Sequence, residues 1–448
     1  MREGSLEAPE RHALDWNNPE FYDEEALDRE LRRVFDICHG CRRCFNLCDS
    51  FPNLFDLVDE SETGEVDGVS SADFHKVVDQ CTLCDMCFMV KCPYVPPHEF
   101  NLDFPHLMLR YRAVEHRKGK HGFITRRLSN TDANGKLASG PQARTVNHLV
   151  KSRPVRTALE KIAGVDAKAE LPTYAQKTLS KQAAELDLEL NRDAPAFGRK
   201  AVIYAGCHGQ YSQPQIGIAA MQVLAKNGIA SKIVYPRCCG MPQMELGDLD
   251  NVARRAVDSA TDFMPFIEEG YDVIALTPSC ALMMKFEWPL MLPDHALVAK
   301  LGASVFDLDE YLIRIARKEG LAEITTSLDG QVGLHIACHA RAQNIGRKAE
   351  EVLKLIPGAK IKTVEKCSGH GGVWGTRKEH FKQACKQGKP VARMLNDKGK
   401  SRYLVSECPL AATHLGQVGQ MEGHEQMQIV AHPVLLLAQA YGYQPAIA

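Results

Sequence analysis

Two short runs of cysteine constrain this chain more than any other feature of its sequence. The first run, CHGCRRCFNLCD, has the spacing C-x2-C-x2-C-x3-C and supplies Cys38, Cys41, Cys44 and Cys48. The second run, CTLCDMCFMVKCP, has one extra residue before its last cysteine and supplies Cys81, Cys84, Cys87 and Cys92. Three thiolates separated by two residues each can bind one face of a metal centre. The fourth cysteine lies too far along the chain to bind the same centre. Each run therefore predicts a triplet of ligands for one centre and a single ligand for another.

This spacing is that of bacterial ferredoxins with two 4Fe-4S clusters, in which the fourth cysteine of each run binds the cluster of the other run. We therefore assign the first 4Fe-4S cluster to Cys38, Cys41, Cys44 and Cys92. The second 4Fe-4S cluster is assigned to Cys81, Cys84, Cys87 and Cys48. Asp49 stands where a proline commonly follows the first run, which should loosen that turn without removing a ligand.

Other uses of cysteine fit less well. Zinc ribbons are the alternative for C-x2-C pairs, but zinc takes its four thiolates as two pairs rather than as two triplets with a trailing fourth. Disulfides are not expected, because residues 1–30 lack the pattern of a secretory signal and the cytosol keeps thiols reduced. The 16 cysteines therefore indicate metal ligation.

Chain length, net charge and the length of apolar runs limit the kind of protein that this sequence can encode. A chain of 448 residues is too long for one compact core and predicts two or three domains. The formal net charge of -2 provides no overall field that would attract nucleic acid. Since no apolar run approaches the ~20 residues that cross a bilayer, we expect a cytoplasmic protein, which a partner could dock on the inner face of the plasma membrane.

Beyond residue 200 the sequence repeats itself. Three apolar runs that each lead to cysteine, KAVIYAGCHG, SKIVYPRCCGM and YDVIALTPSCAL, are followed in the same order by LHIACHAR, AKIKTVEKCSGH and SRYLVSECPLA. Helical stretches separate the runs, a pattern typical of parallel α/β units whose ligands gather at the carboxyl ends of the strands. The sequence therefore predicts an internal duplication, with the cysteines at one edge of each sheet.

The two copies differ in their cysteines. The first copy has four, enough for a third cluster: Cys207, Cys238, Cys239 and Cys280. The second copy has Ser368 in place of one of them and keeps three: Cys338, Cys367 and Cys408. Three thiolates could hold a cluster with one other ligand, a 3Fe-4S cluster or nothing, since buried cysteines are also common as small core residues. Cys385 lies outside the repeat and is expected to pack inside a helix.

Three further features carry weaker signals. A Cys-His pair recurs at Cys207-His208 and Cys338-His339, where the imidazole could donate to cluster sulfur, handle a proton or simply bond the backbone. The basic stretch 110–127 could contact anionic lipid or an acidic partner, or be a solvated face. The polar interval 129–146 is predicted to be a loop or linker.

The CCGM motif and the later Pro-Ser-Cys, duplicated and preceded by two ferredoxin runs, resemble the cysteine-rich (CCG) family of heterodisulfide reductases. The order of parts is similar to that of iron–sulfur subunits of flavin dehydrogenases acting on glycerol 3-phosphate or 2-hydroxy acids. The resemblance implies a chain that relays electrons from a flavoprotein subunit toward membrane quinone. Thr277, Val405 and Ser368 depart from the full family motif, which argues against a complete non-cubane cluster and against disulfide cleavage.

The expected fold class is α+β multidomain: a helical two-cluster ferredoxin domain followed by two duplicated α/β CCG domains with parallel sheets. The expected boundaries are 1–125 for the ferredoxin domain, 126–197 for a linker with helical segments, 198–325 for the first CCG domain and 326–448 for the second.

The first functional hypothesis is an electron-transfer subunit of a flavin-dependent dehydrogenase that delivers electrons to quinone or another acceptor. The sequence has no nucleotide loop and no convincing acid–base constellation, so we expect an electron carrier rather than a catalyst acting alone. The alternatives are a heterodisulfide reductase-like thiol/disulfide redox enzyme and an electron donor to a soluble peroxide-reducing iron protein.

Overall fold

The computed structural model describes residues 4, 5, 7–424 and 427–446. These residues form an α+β structure, in which a helical amino-terminal part is followed by two parallel sheets. Within this described part of the chain, no helix is both long enough and apolar enough to cross a bilayer.

The amino-terminal part is built of α-helices and short 3-10 and π turns. Its α-helices are α1 (Glu24–Cys41), α2 (Ser50–Asp59), α3 (His75–Val78), α4 (Phe104–Arg117), α5 (Phe123–Ser129), α6 (Thr131–Ala138), α7 (Ala143–Lys151), α8 (Arg153–Ala163) and α9 (Leu179–Ala184).

Helix α1 shows how the sequence positions the first cysteines. The side chain of Asp23 caps the helix by accepting a hydrogen bond from the amide of Ala26, and two glutamates follow in the first turn. The helix ends at Cys41 because Arg42 adopts a left-handed conformation with φ of 51°. Cys38 and Cys41 therefore lie in the last turn of α1, and the chain reverses directly after them.

The prediction of a loop over residues 129–146 is wrong, because helices α6 and α7 occupy most of this interval. The polar residues that suggested a loop instead cap and pack these helices. The Asn130 side chain accepts a hydrogen bond from the amide of Ala133 at the start of α6. A Cβ atom at Gly135 would lie 2.1 Å from the ring of Tyr211, so the glycine allows close packing rather than a turn.

The first sheet has the strand order β2-β1-β3-β4, and all of its paired strands are parallel. Its strands are β1 (Lys200–Tyr204), β2 (Ala230–Val234), β3 (Asp272–Ala275) and β4 (Val305–Asp307). The helices between and after them are α10 (Gly206–Tyr211), α11 (Pro214–Lys226), α12 (Met241–Glu245), α13 (Leu249–Glu268), α14 (Pro278–Leu282), α15 (Trp288–Met291), α16 (Ala296–Ser304) and α17 (Leu308–Lys318).

The second sheet has the order β6-β5-β7 and is also parallel. Its strands are β5 (Gln331–His335), β6 (Lys360–Val364) and β7 (Ser401–Ser406). Its helices are α18 (Cys338–Ala342), α19 (Lys348–Lys354), α20 (Phe381–Asn396), α21 (Pro409–Met421) and α22 (Pro433–Ala440).

Parallel sheets were expected from the apolar runs, since strands covered by helices on both faces are continuously hydrophobic. Residues 201–204 of the middle strand β1 are fully buried, in agreement with this pattern. In both sheets the first strand in the chain lies in the middle, between the second and the third. The two sheets share this arrangement of their first three strands, and the internal duplication stays a prediction.

An extended amino-terminal segment joins the helical part to the first sheet. The amides of Ser5 and Glu10 donate to carbonyl oxygens of Pro93 and Pro96, at 2.8 and 3.0 Å. Further along, the Trp16 indole donates to the carbonyl oxygen of Met291 at 2.8 Å. The segment thus hydrogen-bonds first to the loop after Cys92 and then to the end of α15.

Arg11 lies at the centre of this junction. Its guanidinium contacts carboxylates at 2.8, 2.8 and 3.1 Å, those of Asp85, Asp103 and Glu287. It also lies over the ring of Phe88, 4.5 Å from the centroid. Since Arg11, Asp85 and Glu287 are nearly buried, the cation balances acidic groups from both parts of the structure.

Replacing Arg11 by methionine should destabilise the protein by about 3–5 kcal/mol, because it leaves buried carboxylates without their counter-ion. The matched control is Arg29→Met, whose partner Glu25 is 3.9 Å away, with side chains 71% and 90% exposed. This control should cost less than about 1 kcal/mol. Urea unfolding followed by tryptophan fluorescence measures both, and equal midpoints for the two variants would contradict the role of Arg11.

Candidate metal centres

The backbone around the second cysteine run is bent in a way that few sequences adopt. Leu83 and Asp85, the residues on either side of Cys84, both have positive φ values, of 49° and 60°. A π-helical turn then begins at Cys87 and ends just before Cys92. Left-handed non-glycine residues and π turns are concentrated at functional sites, where the surrounding structure fixes an unusual path.

The cysteines of the first predicted cluster are neighbours in the structure. Burial raises the pKa of the Cys38 thiol, and the nearby thiols of Cys92, Cys44 and Cys41 raise it further. Burial, together with Cys92 and Cys41, also raises the pKa of Cys44 to about 12. Cys92 thus lies with the cysteines of the first run, as the exchange of fourth ligands predicts.

The cysteines of the second predicted cluster are neighbours as well. Burial raises the pKa of Cys87 well above its ordinary value, with further contributions from Cys84, Cys81 and Cys48. Burial and the thiol of Cys81 raise the pKa of Cys48 to about 12. Cys48 therefore lies with the second run rather than with its own.

In the first sheet, the four cysteines meet beyond the carboxyl ends of β1, β2 and β3. The sulfur atoms of Cys207 and Cys238 are 3.9 Å apart. The contact with Cys207, followed by that with Cys239, lowers the pKa of Cys238. Contacts with Cys238 and Cys280 raise the pKa of Cys239. All four predicted ligands of the third cluster thus form one group.

A glycine makes room for this group. Gly206 has φ of 63°, and a Cβ atom built on it would lie 3.2 Å from the sulfur of Cys280. The glycine directly before Cys207 therefore lets the backbone turn and lets Cys280 approach.

In the second sheet, Cys338, Cys367 and Cys408 also come together. Burial, and then Cys367 and Cys408, raise the pKa of Cys338. The amide of Gly369 donates to the sulfur of Cys367 at 3.3 Å, as amides commonly do to cluster ligands. Ser368, which replaces the second cysteine of the pair, accepts a hydrogen bond from the amide of His370 at 3.4 Å, so its hydroxyl oxygen is engaged in the turn.

The four groups of cysteines follow one another through the interior. Cys44 of the first group contributes to the raised pKa of Cys87 in the second, after burial and nearer thiols. Cys84 of the second group and Cys338 of the second sheet pack against the same buried residues, Met86, Leu282 and Ala342. Burial raises the pKa of Cys408 to about 11, and Cys280 of the first sheet adds to this effect.

A glutamine also links the second group to the cysteines of the second sheet. The Gln387 amide nitrogen donates to the carboxylate of Asp49, next to Cys48. Its oxygen lies 3.7 Å from the sulfur of Cys367. Asp49, where a proline was expected, therefore anchors the first cysteine run to helix α20.

The thiols fit iron–sulfur clusters in their chemistry. Buried thiols that raise one another's pKa cannot all ionise unless a cation balances their charge, and coordinated iron supplies that charge. Within the described residues, no three His, Cys, Asp or Glu side chains are placed to bind a single metal ion. A cluster of several iron atoms holds its thiolates further apart than a single ion does. The absence of a single-ion site among the described residues therefore does not argue against a cluster at these cysteines.

The recurring histidines differ between the two sheets. His208 Nε2 is buried and has no hydrogen-bond partner among the described residues. Burial lowers the pKa of His208 to about 4. His339 Nε2 lies 3.4 Å from the carbonyl oxygen of Leu83 in the second cysteine run. The His339 contact thus connects the second sheet to the helical part.

The ligand assignment stays a prediction, and no sequence pattern indicated the side chains that surround the cysteines. Asp132, Thr131 and Gln387 approach the cysteines from helices distant in sequence, and no local pattern distinguishes them from surface residues. Cys385 packs beside the core between α20 and the second sheet, in agreement with its expected structural role.

The exchange of fourth ligands predicts the iron content of double variants. Cys38→Ser with Cys92→Ser removes two ligands of one cluster and should lose roughly four iron atoms. Cys38→Ser with Cys48→Ser removes one ligand from each cluster and should lose roughly twice as many. Chemical iron analysis of anaerobically purified protein measures the difference, and the reverse order of losses would show that each run binds its own cluster.

Comparison with known proteins finds no family model that matches this chain. One relative belongs to the anaerobic glycerol-3-phosphate dehydrogenase of Escherichia coli (strain K12), as one of its subunits. It is 26% identical over 321 residues, which cover 70% of this chain and 76% of the relative. Another relative is one of the subunits of the fumarate reductase (CoM/CoB) of Methanothermobacter marburgensis. It is 24% identical over 247 residues, 52% of this chain and 45% of the relative.

A third relative, the citrate utilization protein B of Escherichia coli, is 29% identical over 85 residues, 19% of this chain and 20% of the relative. The first similarity spans most of both chains, and this sequence also carries one CCG motif, at residues 238–240. These similarities agree with the resemblance of its cysteine motifs to the CCG-domain iron–sulfur proteins.

Proposed function

We propose that this chain is the iron–sulfur electron-transfer subunit of an oxidoreductase complex. It would accept electrons from a flavoprotein dehydrogenase of the glycerol-3-phosphate or 2-hydroxy-acid type and pass them toward quinone or another acceptor. The names of two relatives support a place in such a complex, because one is a subunit of a dehydrogenase and the other a subunit of a reductase.

The observation that carries this proposal is the spatial arrangement of the four cysteine groups, which lie beside one another in the structure. Clusters bound at the first two groups and in the first sheet would supply one-electron redox steps, and the chain's own residues would hold them close together. The shared packing of Cys84 and Cys338 brings the cysteines of the second sheet beside the second group. Cys280 contributes to the raised pKa of Cys408, so the cysteines of the first sheet lie near those of the second.

The first group is the natural point of entry for electrons. Cys81 and Cys87 of the second group are buried, whereas all four cysteines of the first group are partly exposed. Two exposed apolar side chains lie within two residues of ligands of the first group in the chain, Phe45 at 53% exposure and Val90 at 50%. Exposed apolar residues beside a redox centre favour a docking surface for a partner protein.

The test uses the full chain, affinity-tagged and purified anaerobically from its own cells. A flavoprotein should copurify with it, and addition of glycerol 3-phosphate or of a 2-hydroxy acid such as glycolate should reduce the iron–sulfur clusters, as seen by EPR. The isolated chain should not be reduced by either compound. Turnover of either compound by the chain alone would contradict the proposal.

The docking surface has its own matched pair of variants. Phe45→Glu should weaken binding of the flavoprotein at least tenfold, because it places a charge in an apolar contact, while the iron content stays unchanged. Phe197→Glu introduces the same change at a residue of similar exposure, 50%, outside the first cysteine group. Equal retention of the flavoprotein by the two variants would place its docking site elsewhere.

A further inference from the structure

Helix α6 covers the cysteine group of the first sheet, although it lies about seventy positions before Cys207 in the chain. The helix packs against α10, which carries Cys207. Gly135 permits the close approach to Tyr211, and the Gln243 side chain holds the carbonyl oxygen of Ser129, just before α6, at 2.9 Å. The first turn of α6 is thereby fixed over the cysteines.

Asp132 in that first turn accepts hydrogen bonds from three residues, two in the loop after β2 and one in α13. Its Oδ2 atom accepts from the backbone amide of Cys238 at 3.0 Å and from Arg255 Nη1 at 3.0 Å. Its Oδ1 atom accepts from the hydroxyl of Tyr235. Arg255 also donates to the carbonyl oxygen of Cys238 at 3.3 Å, so the ion pair holds both sides of this cysteine's backbone.

Thr131 directly precedes Asp132 in the same turn of α6. Its hydroxyl oxygen is buried and has no hydrogen-bond partner among the described residues. A buried hydroxyl without a partner, one residue from the contact with Cys238, is available to donate to the sulfur of a bound centre.

We propose that Thr131 and Asp132 are positioning residues for an iron–sulfur centre bound by Cys207, Cys238, Cys239 and Cys280. The inference rests on the proposed third cluster and adds that helix α6, which lies outside both sheets, completes its environment. Asp132 fixes the backbone of Cys238 and balances the charge of Arg255. Thr131 provides a hydrogen bond to ligand sulfur.

The two residues should shift the reduction potential of this centre in opposite directions. Reduction adds negative charge, which the Asp132 carboxylate opposes, so its removal leaves the Arg255 cation unbalanced and favours the reduced state. A hydrogen bond to ligand sulfur stabilises the reduced state, so its loss has the opposite effect. A general loosening of the site would not produce opposite signs.

The experiment is an EPR-monitored titration of the full-length, anaerobically purified chain with dithionite as the reductant. Asp132→Asn should raise the midpoint potential of the centre, by about 59 mV if the change in the one-electron equilibrium is tenfold. Thr131→Val should lower that potential. In the same samples, the EPR signals of the two ferredoxin-type clusters should keep their midpoint potentials, which would show that the rest of the protein is intact.

Two controls separate this inference from the proposed function. Asp187→Asn makes the same chemical change at an exposed residue of the predicted linker 126–197 and should have no effect on the potential. Cys238→Ser should lower the iron content. If Cys238→Ser loses iron but Asp132→Asn and Thr131→Val behave like Asp187→Asn, helix α6 has no positioning role and only this inference is wrong. If Cys238→Ser keeps all the iron, the proposal of a third cluster is wrong, and the inference that rests on it is wrong as well.

Discussion

Burial of many thiols in one connected interior is the constraint on which the rest of this structure depends. Each thiol that loses a proton in such an interior makes ionisation of its neighbours harder, as the raised pKa values of Cys38, Cys87 and Cys338 show. Such thiols stay protonated, or ionise together where a positively charged centre balances their charge. The fold brings cysteines from three regions of sequence together, which is the arrangement that the proposed clusters require.

The contacts between the regions serve this purpose. Arg11 draws carboxylates of the helical part and the first sheet to one cation. Gln387 joins the turn after Cys48 to the second sheet, and the His339 imidazole approaches the backbone beside Cys84. Electron transfer between centres depends steeply on separation, so rigid contacts at the joins would keep the proposed path continuous.

The cysteine groups could be predicted because their information is local. A spacing of three residues fixes which thiols share one face of a centre, and strand-to-cysteine patterns fix which thiols reach one edge of a sheet. The parallel sheets followed from the same apolar runs. These features need no knowledge of how distant segments pack.

The features that could not be predicted from the sequence depend on tertiary contacts. The interval 129–146 is rich in Asn, Gly and Ser, which favour loops in isolation, but Asn130 caps α6 and Gly135 packs against Tyr211. Asp132 and Gln387 are ordinary polar residues in the sequence, and only the folded chain places them beside Cys238 and Cys367. The amino-terminal segment likewise gave no signal of its place against the loop after Cys92 and α15.

Magnetic coupling between clusters tests the central claim most directly. If the cysteine groups hold clusters in one continuous series, the EPR spectrum of the fully reduced, full-length chain should show spin–spin interaction between neighbouring centres. The interaction should change when Cys48, a ligand of the second cluster, is replaced by serine. A spectrum composed only of isolated, non-interacting clusters in the iron-loaded protein would contradict the account.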